Sequence, residues 1–229
     1  MGRACPVTKP KRKASSARWL QRHLSDPYVL AARRKGYRSR AAFKLIELDD
    51  RFRFLTRGAR VIDLGAAPGG WTQVAVERVQ AGSAGGGRVL ALDLLPMDPV
   101  PGAEIIIGDF LDEAVMVSLE DTLDRPADVV LSDLAPATTG HRGADHLRIM
   151  ALAEAAYGFA AQVLGTGGAF VCKVFQGGTE SQLLAEIKRR FASVRHVKPK
   201  ASRAESAEIY LVATGFRPAA DRSTETVTR

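Results

Sequence analysis

Asp63-Leu-Gly-Ala-Ala-Pro-Gly-Gly-Trp71 decides how this chain is read. It follows the apolar pair Val61-Ile62 and leads into a helical pattern from Thr72 to Val79. A strand that ends in a Gly-rich turn and re-enters as a helix leaves backbone N–H groups free. It also leaves a floor without side chains, on which a ligand can rest against the main chain. Gly65, Gly69 and Gly70 do not make G-x-G-x-x-G, and no Lys-Ser/Thr follows, so neither a dinucleotide fingerprint nor a phosphate-binding P-loop is present. Asp63 at the strand end and Pro68 inside the turn suit a ligand with an amino-acid end and no pyrophosphate, which is S-adenosylmethionine. Alone, the stretch fits a structural turn equally well; the rest of the chain separates the two.

Outward from this turn, apolar runs near 60–64, 88–93, 104–107, 128–132, 168–174, 193–197 and 207–213 read as strands. Helical patterns fall near 39–51, 70–80, 112–121, 145–163 and 179–191. Such alternation predicts an α/β fold, a doubly wound and mostly parallel seven-stranded sheet with helices on both faces. No helical pattern separates the last two runs, so the final strand is expected to pair antiparallel. Gly82 to Gly87 reads as a flexible turn.

Ligands of a doubly wound sheet collect beyond the carboxyl ends of its strands. The first five runs end at Asp63, Asp93, Asp109, Asp133 and Lys173. One such acid could be a cap or turn former, but five charges converging on one rim are hard to explain by folding alone. Asp93 stands 24 residues after Gly69, near the offset of about 20 at which an acid meets ribose hydroxyls in dinucleotide folds. Asp109 is placed to accept from an adenine amino group, with Phe110 beside it for stacking; its other reading is the N-cap of the next helix. Trp71 either covers the cofactor or packs in the core.

Lys173 is the one charge in Ala169-Phe-Val-Cys-Lys-Val-Phe175. A buried ammonium costs several kcal/mol unless it is paired. Asp133 on the neighbouring strand, Glu208 in Glu208-Ile-Tyr-Leu-Val-Ala213 and Lys44 on the amphipathic helix from Ala41 to Leu48 are the candidates to meet it. Methyl transfer from a sulfonium to a ribose hydroxyl needs help in loosening the hydroxyl proton. A lysine crowded by a second cation could take that proton, or could stay charged and orient the oxygen lone pair. In this set Lys173 is the base, Lys44 the second cation, and Asp133 the orienting carboxylate. Glu208 steers Lys173 or the hydroxyl.

Length and composition point to one domain. At 229 residues, 46% hydrophobic and 25% charged, the chain has enough apolar content for a full core and no run long enough for a membrane span. Cys5 and Cys172 make neither a disulfide framework nor a zinc site, and no secretory h-region is present, so a cytoplasmic monomer without a metal is expected. The charge is uneven. Residues 1–40 hold twelve Lys or Arg against Asp26, a balance of +11, which leaves −3 for the remainder of a chain whose total is +8. A basic face on a near-neutral body fits a docked polyanion. Residues 1–16 read as a disordered basic tail and 217–229 as a frayed end, with a single domain over 17–216. Within that domain, 17–58 read as a basic helical part that offers charge to a docked polyanion, expected to be RNA, because Trp19, Leu20, Leu24, Tyr28 and Leu30 interleave with the cations as in short helices packed on the body.

Six blocks resemble the FtsJ-like 2′-O-ribose RNA methyltransferases: Ser39-Arg-Ala-Ala-Phe-Lys44-Leu, Asp63 to Trp71, Asp93-Leu-Leu-Pro-Met-Asp98, Ser132-Asp-Leu-Ala-Pro136, Lys173-Val-Phe-Gln-Gly177, and Ser202-Arg-Ala through Glu208 to Gly215. The similarity runs from about Arg18 to Gly215. It implies a Lys-Asp-Lys-Glu tetrad at Lys44, Asp133, Lys173 and Glu208, with S-adenosylmethionine contacts at Gly69, Trp71, Asp93, Asp109 and Asp133. It further implies a uridine of 23S ribosomal RNA in the assembled 50S particle as substrate. The loop Ala137-Thr-Thr-Gly-His-Arg-Gly143 departs from the family, which has an Asn soon after the Pro, and so weakens the choice of target. Transfer RNA or another RNA is the alternative substrate, and a non-catalytic RNA-binding assembly factor the alternative role. A base N-methyltransferase would carry Asn/Asp-Pro-Pro-aromatic where Ser132-Asp-Leu-Ala-Pro136 stands. A C5-methyltransferase would need a nucleophilic Cys, and Cys172 faces away from Lys173 by strand alternation.

Overall fold

The computed structural model describes residues 24–136, 139–176 and 181–218. The tail expected over 1–16, and the C-terminal tail from 219 onward, lie outside the described residues. Helix α1 (Pro27–Lys35) and α2 (Ala41–Phe52) precede β1 (Arg60–Leu64). Then come α3 (Gly70–Val79), β2 (Arg88–Asp93), β3 (Ala103–Ile107), α4 (Glu113–Asp121), β4 (Ala127–Ser132), α5 (Arg142–Val163), β5 (Leu164–Phe175), α6 (Ser181–Arg190), β6 (Phe191–Val197) and β7 (Glu208–Phe216). All seven expected strands are present. Strand β5 begins four residues before the expected start, because Leu164-Gly-Thr-Gly-Gly168 has the composition of a turn. Pairing to β4 overrides that composition, with a register shift between Ala127 and Val129.

The strands run in the order β3-β2-β1-β4-β5-β7-β6. Neighbours are parallel from β3 through β5. Strand β7 is antiparallel to both β5 and β6. Parallel strands buried on both faces read as unbroken apolar runs, which is why the charge that ends each one stands out. Alternation sends Ile62, Leu90, Val130 and Phe170 into the layer with α5 and α6, and Val61, Val89, Val129 and Val171 into the layer with α2 and α3. Full burial of each such side chain is worth about 1.5–3 kcal/mol. The order reverses beside β1, so a crevice opens between β1 and β4 at their carboxyl ends.

Helix α1 starts at Pro27, behind an Asp26 side chain that accepts the Tyr28 N–H, and stops at Gly36 in the left-handed region. Its last turn exposes Arg33, Arg34 and Lys35. Among the described residues no helix is long and apolar enough to cross a membrane.

Candidate active site

Sheet order sets the rim as Asp109, Asp93, Asp63, Asp133 and Lys173, one from each of β3, β2, β1, β4 and β5. At its far end the four predicted reactive residues come together. Lys173 Nζ donates to the Asp133 backbone oxygen at 2.7 Å and to Asp133 Oδ1 at 3.0 Å. Lys44 Nζ, from α2, donates to Glu208 Oε1 at 2.5 Å. The two lysine side chains are 8% and 12% exposed, enough burial that neither could stay there charged and unpaired. Glu208 pairs with Lys44, so each lysine has its own carboxylate; of the two tasks expected of Glu208, a contact with Lys173 is not the one made, and the hydroxyl is the one left open.

Tyr210 joins the pairs, and the sequence reading missed it. Its hydroxyl lies 2.7 Å from Asp133 Oδ1 and 3.3 Å from both Glu208 Oε1 and Lys44 Nζ. The signal was available: Glu208 and Tyr210 are two apart on β7, hence on one face, and Tyr210 is the register partner of Lys173. Burial, with Asp133 and Glu208 alongside, pushes the tyrosine hydroxyl well above its ordinary range, so it stays a donor. Burial works against the Asp133 charge, yet Lys173, Lys44 and the Tyr210 hydrogen bond together hold its carboxyl below the usual carboxylate range.

Helix α2 does more than carry Lys44. One turn on, Glu47 accepts the N–H groups of Lys200 at 2.5 Å and Ala201 at 3.0 Å. Arg40 donates to the Ala201 oxygen and pairs with Asp26. The loop so held presents Ser202, whose hydroxyl donates to Glu208 Oε1 at 3.1 Å. The basic N-terminal segment is thereby tied to the loop that leads into Glu208.

At the other end of the rim, the glycines answer first to the protein's own chain. Gly65 has φ +79°, and a Cβ there would lie 2.9 Å from the Leu134 nitrogen. A Cβ on Gly70 would lie 2.3 Å from Ser39 Oγ. The missing Cβ of Gly65 lets the chain leaving β4, with Asp133 on it, pass against the turn after β1, and that of Gly70 lets Ser39 approach the start of α3. Gly69, at φ +105°, caps α3. Arg38 closes the turn from above, donating to the backbone oxygens of Pro68 at 3.2 Å, Asp98 at 2.6 Å and Pro99 at 2.7 Å.

Asp63 is fully buried; its Oδ2 accepts the Thr72 hydroxyl at 2.7 Å and its Oδ1 has no partner. Burial pushes its carboxyl up to about 7, the Thr72 hydrogen bond opposing and the charges of Asp133 and Asp93 adding. Asp93 accepts backbone N–H groups from Ala67 and Leu95, both at 2.8 Å. Asp109 accepts from Leu111 at 2.9 Å in an Asx turn, and the cap of α4 is Asp112, which removes the capping explanation for Asp109. Phe110 is buried edge-on to Phe159, so it packs in the core instead of standing free to stack. Trp71 also packs in the core, donating to the Ala41 oxygen at 2.8 Å with its ring centroid 5.4 Å from that of Tyr210. Cys172 is buried on the opposite side of β5 from Lys173, and burial pushes its thiol up to about 12, which disqualifies it as a nucleophile. No group of three or more His, Cys, Asp or Glu among the described residues is arranged to hold a metal ion.

A carboxylate oxygen buried without a donor and flanked by two further acids is a group whose partner the described residues do not supply. Comparison with known proteins identifies the family. A protein from Gluconobacter oxydans named ribosomal RNA large subunit methyltransferase E is 61% identical over 207 residues, covering 90% of this chain and 75% of its own. One of the same name from Acidiphilium cryptum is 60% identical over 208 residues, covering 91% and 90%. A crystal structure of a Plasmodium falciparum protein described as a ribosomal RNA methyltransferase superposes with a TM-score of 0.69 at 34% identity, covering 79% of this chain and 98% of that one. The family model for FtsJ-like methyltransferases matches residues 37–216, and the chain belongs to that family.

Proposed function

We propose that the chain transfers a methyl group from S-adenosylmethionine to a ribose 2′-hydroxyl of large-subunit ribosomal RNA, at a uridine of the assembled particle. The observation that carries this reading is the Lys173–Asp133 and Lys44–Glu208 arrangement, joined by Tyr210, at the end of a rim of acids. When bound, the cofactor supplies an electrophilic methyl group on a sulfonium. Asp63, Asp93 and Asp109, with Gly65, Gly69 and Gly70 shaping the turn, suit a ligand that carries two positive charges and a ribose. Two N–H groups of Lys173 are taken by Asp133, which leaves one position on the amine for a substrate hydroxyl. From that position Lys173 orients the hydroxyl oxygen or takes its proton, while Asp133 fixes the amine. Lys44 and Glu208 hold Tyr210 and the Ser202 loop around the same point. The exposed cations of α1 stand one helix away from Lys44 and suit the phosphate backbone. The names of the relatives supply the substrate class.

The test is transfer of labelled methyl groups from S-adenosylmethionine to large ribosomal subunits. The expected product is one alkali-resistant linkage at a uridine. Label on a base, or only on transfer RNA, would reject this substrate, and no transfer to any ribosomal particle would favour an assembly factor.

Asp63 gives a pH signature. Its folded carboxyl titrates near 7, so it is ionised above that pH and neutral below it. Affinity for S-adenosylmethionine is therefore expected to be level above about pH 7 and to fall by up to about tenfold per unit below it. The free protein moves the other way. Its folded form holds the proton more tightly than the unfolded form, so it loses stability as pH rises from about 4 to 7 and no more beyond. Calorimetric titration from pH 5.5 to 8 checks the first trend and thermal melting the second. Asp63→Asn should flatten both, and a pH dependence of binding that survives in that variant would exclude Asp63 as its source.

A further inference from the structure

Beside the reactive lysine lies a cleft of about 790 Å³, between the end of β5, the loop after β6 and the first turns of α5. Its volume is in the range of pockets that enclose small ligands. We propose that this cleft holds an unstacked nucleobase of the RNA substrate, laid against Phe175 and His146. The inference rests on the reading of Lys173 as the residue that meets the ribose.

Position supports it first. Phe175 is two residues beyond Lys173 on β5 and is the register partner of Glu208, so the cleft starts where the reactive pairs end. At about 3.3 Å per strand residue, its wall begins roughly 7 Å along the chain from Lys173. The lining chemistry selects a base over a phosphate. Lys198 Nζ already donates to the Ala204 oxygen at 2.9 Å and the Ser206 oxygen at 2.7 Å. Asp145 and Glu205 add two carboxylates to the same walls, which repel a phosphate. Asp145 is itself engaged by the Thr139 N–H and hydroxyl and by the Gly140 N–H, so it shapes the rim. Gln176 and Glu205 remain as exposed polar groups for a base edge, the amide giving and accepting and the carboxylate accepting.

The rings of His146 and Phe175 are nearly parallel, 29° apart with centroids at 6.5 Å, and both residues are half-buried. Sequence-specific proteins take single-stranded RNA by splaying bases onto such rings, and each stacked base contributes about 1–3 kcal/mol. The labour divides between the exposed cations of α1 for the backbone and this acid-lined aromatic cleft for a base next to the reacting ribose.

The experiment is fluorescence anisotropy on the full chain with two labelled probes of equal length, a short oligouridine and an abasic ribose-phosphate oligomer. Wild type is expected to prefer the oligouridine. Phe175→Leu, which keeps apolar volume without a ring, and His146→Ala, on the half-exposed first turns of α5, should each weaken oligouridine binding about tenfold and leave the abasic probe unchanged. An Arg33→Ala/Arg34→Ala control should weaken both probes alike. No wild-type preference for the oligouridine, equal losses on both probes in the cleft variants, or no loss in either variant would overturn the proposal. Wild-type methyl transfer to large subunits is read separately. Its absence, with the probe differences intact, would reject the proposed reaction and leave the base site standing.

Discussion

Lys173→Ala is expected to lower methyl transfer by about a thousandfold, within the 10²–10⁴ range typical of a positioned proton-transfer group. Binding of ribosomal RNA should survive, because the exposed cations Arg33, Arg34 and Lys35 lie on α1, away from the substituted residue. Stability should fall as well, because the substitution takes the nearest cation from an Asp133 carboxylate whose charge burial disfavours, leaving it Lys44 and the Tyr210 hydroxyl. A rate near wild type would remove Lys173 from the chemistry. Lys173→Arg sharpens the result. A guanidinium keeps the charge and can donate, but it does not lose a proton at working pH. Retention of a substantial fraction of the rate would assign Lys173 the orienting task, whereas a loss as deep as that of the alanine variant would assign it the proton. The rate profile of the wild type then locates the group in pH, since a base needs its neutral form and an orienting ammonium does not.

Much of this site could be read from residues alone, for a physical reason. The parallel strands are buried on both faces, so Asp63, Asp93, Asp133 and Lys173 are abrupt charges at the ends of apolar runs, and strand order then sets them side by side. Antiparallel β7 was legible from the missing helix between it and β6. Tyr210 was passed over because a tyrosine in an apolar strand usually reports packing, and only its spacing from Glu208 marks it as a member of the site. Glu47 and Arg38 left no mark at all. Their partners are backbone groups, in the case of Glu47 more than 150 positions away, and a backbone N–H or C=O looks the same under every residue type. Trp71 shows the opposite limit. A tryptophan after a Gly-rich turn fits a cofactor lid and a core anchor alike, and the contact with Ala41 and Tyr210 shows the anchor. Two of the glycines have a second duty that the sequence did not show, since Leu134 and Ser39 cross where a Cβ would stand.

Asp133→Asn should be both inactive and unstable, and the two losses can be taken apart. The substitution preserves shape and leaves an oxygen for the Tyr210 hydroxyl, but it strips the charge facing Lys173. Leaving an ammonium buried without its counter-charge costs about 3–5 kcal/mol, and the lower figure applies here because the Asp133 backbone oxygen remains at 2.7 Å and its side chain is 18% exposed. For a domain of this size that is a fall of roughly 6–12 °C in Tm. Its pH dependence follows from the depressed carboxyl. The folded form holds the Asp133 proton less tightly than the unfolded form, so the stabilisation is complete above the ordinary Asp value near 3.9 and fades as pH falls below it. The gap in Tm between wild type and Asp133→Asn should therefore be full at pH 6 and narrow on acidification toward pH 3. Adding Lys173→Met to Asp133→Asn replaces the ion pair with a neutral pair of similar volume, a change that is often neutral or stabilising. The double variant is expected to recover most of the lost Tm and none of the activity. A double variant as unstable as Asp133→Asn alone would show that the charge pair is not the source of the loss. One that melts like wild type yet stays inactive would place these two charges in this fold for their chemistry.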